Sequence, residues 1–258
     1  MNSTLNLLNN RMSLRKYDNR PISDEDINLI IEGALRAPTA GNMMLYSILV
    51  IKDESKKQKL SVTCDNQPFI AKAPVILIFL ADMERLYRYF DMCDVKDHCA
   101  RNGFKYTEPN LSKLFLGAGD AFIAAQNAVV AAESLGIGSC YIGDIVENYE
   151  AHKEILNLPD AVFPVGMLCL GHYPEDAKRI ISPRFDKKYI VFNEEYKILS
   201  KDDYTDMYKD NEKRVIPNNV YKASNFGQLI YSRKFGGSFS NEMERSIKAN
   251  VKKWLNPR

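Results

Sequence analysis

Two arginines and a serine within one turn are the first residues with chemistry to offer. In Arg11-Met12-Ser13-Leu14-Arg15 two guanidinium forks and a hydroxyl fall together where a short first helix runs out, a donor set that suits a phosphate. The same cluster also reads as a solvated helix end. Pro38-Thr39-Ala40-Gly41-Asn42 joins a helix to a strand through small polar residues, which either offer backbone donors to a ligand or simply turn the chain. Other chemistries find few residues. Only His98, His152 and His172 are present, and none neighbours a Ser or Cys nucleophile in a recognisable elbow, which argues against a hydrolase. No Gly-x-x-x-x-Gly-Lys-Ser/Thr loop occurs, and no Gly-x-Gly-x-x-Gly follows the first strand; Gly117-Ala118-Gly119 is too little for a dinucleotide fingerprint. Cys93, His98 and Cys99 cluster but lack a fourth ligand at suitable spacing, so no metal site is expected.

These residues need elements to position them. Leu5, Leu8 and Met12 have helical spacing, predicting a helix that ends near Arg11 to Leu14. Ser23 caps a second helix with acids in its first turn and Ile27, Ile30, Ile31 and Ala34 as its buried stripe, stopping before Pro38. Tyr46 to Ile51 reads as a strand, and a charged helix follows from Glu54 to Val62. Pro74 to Leu80, apolar on both faces, reads as the middle of a covered sheet. Leu111 to Leu135 is a long helix with Ala and Leu or Ile nearly all round, capped by Gly136; it must thread a large core or lie at a subunit interface. Gly138 to Gly143 and Phe163 to Gly171 complete the strands. Beyond Leu199 come charged, Tyr-rich helical pieces and a closing helix from Ser240 to Leu255. Strands separated by helices make a layered α/β or α+β domain.

The chain has 258 residues, 45% hydrophobic and 26% charged, an ordinary globular composition that excludes disordered, collagen-like and disulfide-stapled classes. Its net charge is +2, giving no bulk electrostatic case for a nucleic acid or membrane surface. Residues 201–258 carry +5 and the remainder −3. The longest apolar stretch, Ala73 to Ala81, is far short of the ~20 residues of a spanning helix. The N-terminus lacks the pattern of a signal peptide, and five cysteines without a Cys-x-x-Cys pair fit reduced thiols, so the expected compartment is the cytoplasm.

Four motifs in series carry a resemblance. Arg11-Met12-Ser13-Leu14-Arg15-Lys16-Tyr17, Arg36-Ala37-Pro38-Thr39-Ala40-Gly41-Asn42, Asn66-Gln67-Pro68-Phe69-Ile70 and the run from Ala125 to Gly138 ending Tyr141-Ile142-Gly143 resemble the FMN-dependent nitroreductase family. The Gln67 segment, the Tyr141 run, the Cys169-Leu170-Gly171 strand end and the long tail point to its NADPH-dependent, oxygen-insensitive nitroreductase and flavin reductase branch.

The resemblance implies an α+β, three-layer α/β/α fold with a central, mostly antiparallel sheet in a homodimer that swaps its C-terminal segment. Residues 1–199 would form the FMN-binding domain, and 200–258 a helical extension packing on the same domain or on its dimer partner. Arg11, Met12, Ser13, Arg15 and Arg184 would surround the FMN phosphate, ribityl chain and the N1/O2 side of the ring, and Gln67 its pyrimidine edge. Tyr141, Ile142, Gly143 and Asp144 would line the dimethylbenzene and N5 side, with Thr39, Ala40, Gly41 and Asn42 reaching in from the other subunit. No protein side chain is expected to be catalytic, since flavin N5 carries the hydride. NADPH or NADH would be the donor, with Arg233 and Lys234, in a glycine-flanked stretch that reads as a mobile loop or a solvated basic turn, on the 2′-phosphate. Nitroaromatics, quinones or flavins would be the acceptors in a ping-pong cycle; flavin fragmentation, dehalogenation or non-enzymatic flavin binding are the alternatives. Three positions depart from the family pattern. Met12 stands for a histidine or arginine, Ser182 for a lysine, and Asp144 for a second glycine, bringing a carboxylate towards the flavin.

Overall fold

A strand that is apolar on both faces needs cover on both faces, and the second strand sets the layers here. In the computed structural model, which describes residues 2–257, the strands β1 (Tyr46–Ile51), β2 (Val75–Asp82), β3 (Ile137–Ile142) and β4 (Val162–His172) form one sheet in the order β1-β2-β4-β3. All three pairings are antiparallel. Every residue of β2 is buried, and the side-chain alternation sorts them into two cores. Leu77, Phe79 and Ala81 pack with α2 (Asp24–Leu35), α7 (Leu111–Ser134) and Trp254 of α11 (Ser238–Trp254). Ile76, Ile78 and Leu80 pack with α3 (Glu54–Thr63), α4 (Pro68–Ala71) and α8 (Tyr149–Leu156). The result is the expected α+β, helix–sheet–helix arrangement, with each large apolar side chain contributing about 1.5–3 kcal/mol on full burial.

The helix ends follow local chemistry. Ser23 Oγ accepts from Asp26 N at 3.0 Å, and Gly136 takes the left-handed conformation past α7 with φ 73°. The first helix, α1 (Ser3–Asn10), stops before the expected Arg11–Leu14 region because the chain turns extended at Arg11 and joins the sheet. Leu14 N donates to Ser139 O at 2.9 Å and Asp18 N to His172 O at 3.0 Å, with a parallel bridge between Ser13 and Ser139. This close approach needs Gly138 and Gly171, where a Cβ would collide with Leu14 and Tyr17.

The long helix is not buried all round within one chain. Asp120, Ala121, Ala124, Ala125, Ala128 and Ala132 face the core, whereas Phe115 is 80% exposed and Phe122 47%. Composition called every face apolar, yet only the small residues let the helix approach the sheet. Among the described residues α7 alone is long and apolar enough to cross a membrane by length and composition, and its core-facing side packs on the sheet.

Two compact units are present, one of residues 1–180 with 243–258 and one of 181–242. The border thus falls earlier than 199/200, and most of the closing helix belongs to the first unit. Buried Trp254 explains this, its Nε1 donating to Asn110 O at 3.1 Å. The second unit holds α9 (Lys201–Glu212) and α10 (Phe226–Lys234). Between β2 and α7 the first unit carries α5 (Glu84–Met92) and α6 (Val95–Asn102).

Candidate functional site

The Arg11–Arg15 segment, Gln67 and the residues from Tyr141 to Asp144 meet at the β3 edge of the sheet. Arg11 caps α1 through its backbone, Met12 is half-buried, and Ser13 bridges to Ser139. The Arg15 guanidinium lies 5.9 Å from the centre of the Phe69 ring. Among the described residues neither Arg11 nor Arg15 has an ion-pair partner or side-chain hydrogen bond. Both act on β3: burial pushes the Cys140 thiol up, and the charges of Arg15 and Arg11 oppose that rise. Burial likewise lifts the Tyr141 phenol to about 12 against the pull of Arg11. Arg11 is itself steadied from behind, since Arg179 donates to Asn10 O at 3.0 Å, pairs with buried Glu133 and stacks 4.4 Å over Tyr173.

A short 3-10 turn, Asp144–Val146, follows β3. Ile142 is buried; Tyr141 and Gly143 are exposed and Asp144 half-buried. Three groups hold the turn. Gln67 Nε2 donates to Asp144 Oδ2 at 2.8 Å. Buried Ser246 Oγ donates to Val146 O at 2.6 Å and accepts from Tyr149 N at 2.9 Å. His152, fully buried, places Nδ1 2.9 Å from Ile145 O and Nε2 2.8 Å from Thr63 Oγ1. A carbonyl only accepts, so Nδ1 carries the proton. Burial lowers the imidazole pKa, partly offset by the backbone groups of Ile145 and Glu147.

Thr39, Ala40, Gly41 and Asn42 lie elsewhere, ahead of β1 and so at the opposite edge of the sheet from β3. Their loop is held by Asp120, only 3% exposed, whose carboxylate accepts from Ala40 N at 3.0 Å and Leu45 N at 3.2 Å. Gly41, Asn42 and Met44 are all left-handed.

The remaining expected residues sit in the second unit. Arg184 is exposed, with Nη1 3.4 Å from Ser182 O, beside a cavity lined by Lys188, Asp206 and Arg214. Arg233 and Lys234 close α10 rather than occupying a mobile loop, because Asn225 caps that helix and the glycines 236 and 237 come only after it. Among the described residues no cluster of His, Cys, Asp or Glu could hold a metal; His98 instead stacks on Phe104 with ring centres 5.9 Å apart.

Sequence reasoning missed Asp120, Ser246 and the holding role of His152. Asp120 had a signal, being the one acid between Leu111 and Ala132 in a mostly apolar helix. Ser246 had none.

Known proteins are similar to this chain. An FMN reductase [NAD(P)H] of Bacillus subtilis is 34% identical over 206 residues, covering 80% of this chain and 78% of the relative. An FMN reductase (NADPH) of the same organism is 32% identical over 202 residues, 78% of each. The solved NADPH:FMN oxidoreductase of Vibrio harveyi, complexed with NAD+, superposes with a TM-score of 0.77 at 25% identity, covering 97% of this chain and 98% of that one. The Nitroreductase family matches residues 8–172, a span that takes in the arginine segment, the Asp120 loop, Gln67 and the turn after β3, and to that family the chain belongs.

Proposed function

We propose that the protein is an FMN-containing oxidoreductase that takes electrons from NADPH or NADH and passes them to small acceptors such as nitroaromatics, quinones or flavins in two alternating half-reactions. The observation that carries this reading is the pair of guanidiniums, Arg11 and Arg15, without carboxylate partners at the β3 edge. The donor set fits FMN. A phosphate wants several charge-assisted donors, and Arg11, Ser13 and Arg15 supply them on one short segment; Arg184 is assigned to it by the resemblance alone. Gln67 offers a polar group for a pyrimidine edge; Asp144, which the resemblance puts on the N5 side, is drawn towards that edge by its hydrogen bond to Gln67, and the partly exposed Tyr141 ring offers an apolar wall.

Bound FMN supplies a centre that accepts and returns a hydride. The chain's own groups bind and orient it. Arg15 favours negative charge nearby, an electrostatic contribution of roughly a few kcal/mol in a preorganised site. No side-chain acid or base is required. Arg233 and Lys234, both exposed in the last turn of α10, are the proposed contacts of a nicotinamide 2′-phosphate.

The complete site is shared by two chains in this reading, one FMN site being completed by Thr39–Asn42 of the other protomer. Two features support the homodimer: those residues belong to the far edge of their own sheet, and α7 keeps an exposed row including Leu111, Phe115, Phe122 and Ile123. The swapped C-terminal segment would then come from the second unit.

The experiment is colour and mass. The purified chain should be yellow, bleach within seconds under NADPH, recolour with nitrofurazone or a quinone, and scatter light as a particle near twice 29.5 kDa. A yellow chain that nicotinamides do not bleach would be a flavin binder of another kind, and a colourless one that takes up no FMN overturns the reading.

A further inference from the structure

Gln67 sits between two acceptors. Its Nε2 lies 2.9 Å from the Cys64 carbonyl oxygen and 2.8 Å from Asp144 Oδ2. A carbonyl and a carboxylate can only accept, so both must be met by the two N–H of the amide nitrogen, and the partners themselves decide which end of the amide is which. Both donors of Gln67 are thereby used. Its Oε1 and the second Asp144 oxygen have no partner among the described residues. Both acceptors belong to residues of held backbone. Cys64 closes α3 with its N–H on Leu60 O at 2.9 Å, and Asp144 belongs to the turn held by His152 and Ser246.

Resting on the flavin reading above, we infer that Cys64 O and Asp144 lock Gln67 as a pure acceptor, so that the pair offers oxygens and no N–H to the flavin. Such a pair selects an edge that donates, as the imide N–H of the pyrimidine ring does. It also sets a carboxylate near a ring that gains one negative charge when it takes up two electrons and one proton. Asp144 therefore opposes what Arg15 favours, lowering the midpoint potential of the bound flavin. With glycine at 144, Gln67 would keep a free N–H and no such charge would be present.

The test measures FMN dissociation constant and flavin midpoint potential on the full chain and two variants. Asp144→Ala frees the Gln67 amide and should weaken FMN binding about tenfold while raising the potential. In Asp144→Asn the side-chain oxygen still takes the Gln67 N–H, so affinity should stay within about threefold of wild type while the potential again rises. A merely structural role would not move potential without affinity. An unchanged potential in Asp144→Asn overturns the inference, and this variant decides alone if Asp144→Ala does not fold. A wild type that retains FMN while the variant potentials stay put overturns only this inference; one that retains no FMN overturns the flavin reading with it.

Discussion

The loop before β1 and the turn after β3 are held in opposite ways. In the loop, three left-handed residues, Gly41 at φ 57°, Asn42 at 55° and Met44 at 51°, lie between the N–H groups of Ala40 and Leu45 that one buried carboxylate, Asp120, accepts, while Thr39 Oγ1 takes the Met44 N–H and Arg85 donates to the Met44 carbonyl. Each non-glycine residue in that region costs on the order of 1 kcal/mol or more. In the turn the work is divided among His152, Ser246 and Gln67, and the imidazole holds its carbonyl as a neutral ring. A strained loop centred on one buried carboxylate and a turn held by three separate side chains should respond differently to the same kind of insult.

The largest effect is expected at the buried carboxylate. Asp120→Ala leaves the buried Leu45 N–H and the half-buried Ala40 N–H without acceptors and should cost about 3–5 kcal/mol in denaturant unfolding. A loss under about 1 kcal/mol would show that the loop does not depend on Asp120. His152→Ala should cost less, about 2–3 kcal/mol, because Ser246 and Gln67 still grip the turn; a cost above that of Asp120→Ala would reverse the comparison.

Acid should separate the two further. The folded His152 binds its proton less readily than the unfolded chain, whose value is near 6.5, so between 6.5 and the lowered folded pKa the unfolded state holds more protons. Stability is therefore full above that window and falls with pH through it, by at most about 1.4 kcal/mol per pH unit for one proton. Melting temperatures recorded from pH 7.5 down to pH 5 should show this decline, which His152→Gln should flatten; parallel curves for both proteins would assign the acid sensitivity to other groups. The smallest effect on stability is expected at the residues proposed to bind FMN. Arg15→Ala, at an exposed position without an ion pair, should change unfolding by less than about 0.5 kcal/mol. Its FMN affinity should nonetheless fall roughly tenfold to a hundredfold by equilibrium titration.

Much of the fold was readable because its signals are local. The Ser23 cap, the β-branched run of β1, the two-sided apolar β2 and the glycine after α7 each depend on neighbours within a few residues. The arginine segment and the Gln67 and Tyr141 motifs were readable as types and spacings, and the structure brings them together at the β3 edge.

Tertiary structure alone decided what those motifs touch. Nothing within a few residues of Asp120 points to residues 40 and 45, and nothing near Ser246 points to residue 146, because a hydrogen bond across 75 or 100 positions exists only after the sheet and α7 have packed. The faces of α7 were undecided for a related reason. Apolar composition cannot say which side meets the sheet, whereas alanine and glycine permit the approach and phenylalanine does not. The family match and the motif spacing thus tell which residues gather, and long-range packing tells how Gln67, Asp144 and the two held loops are aimed.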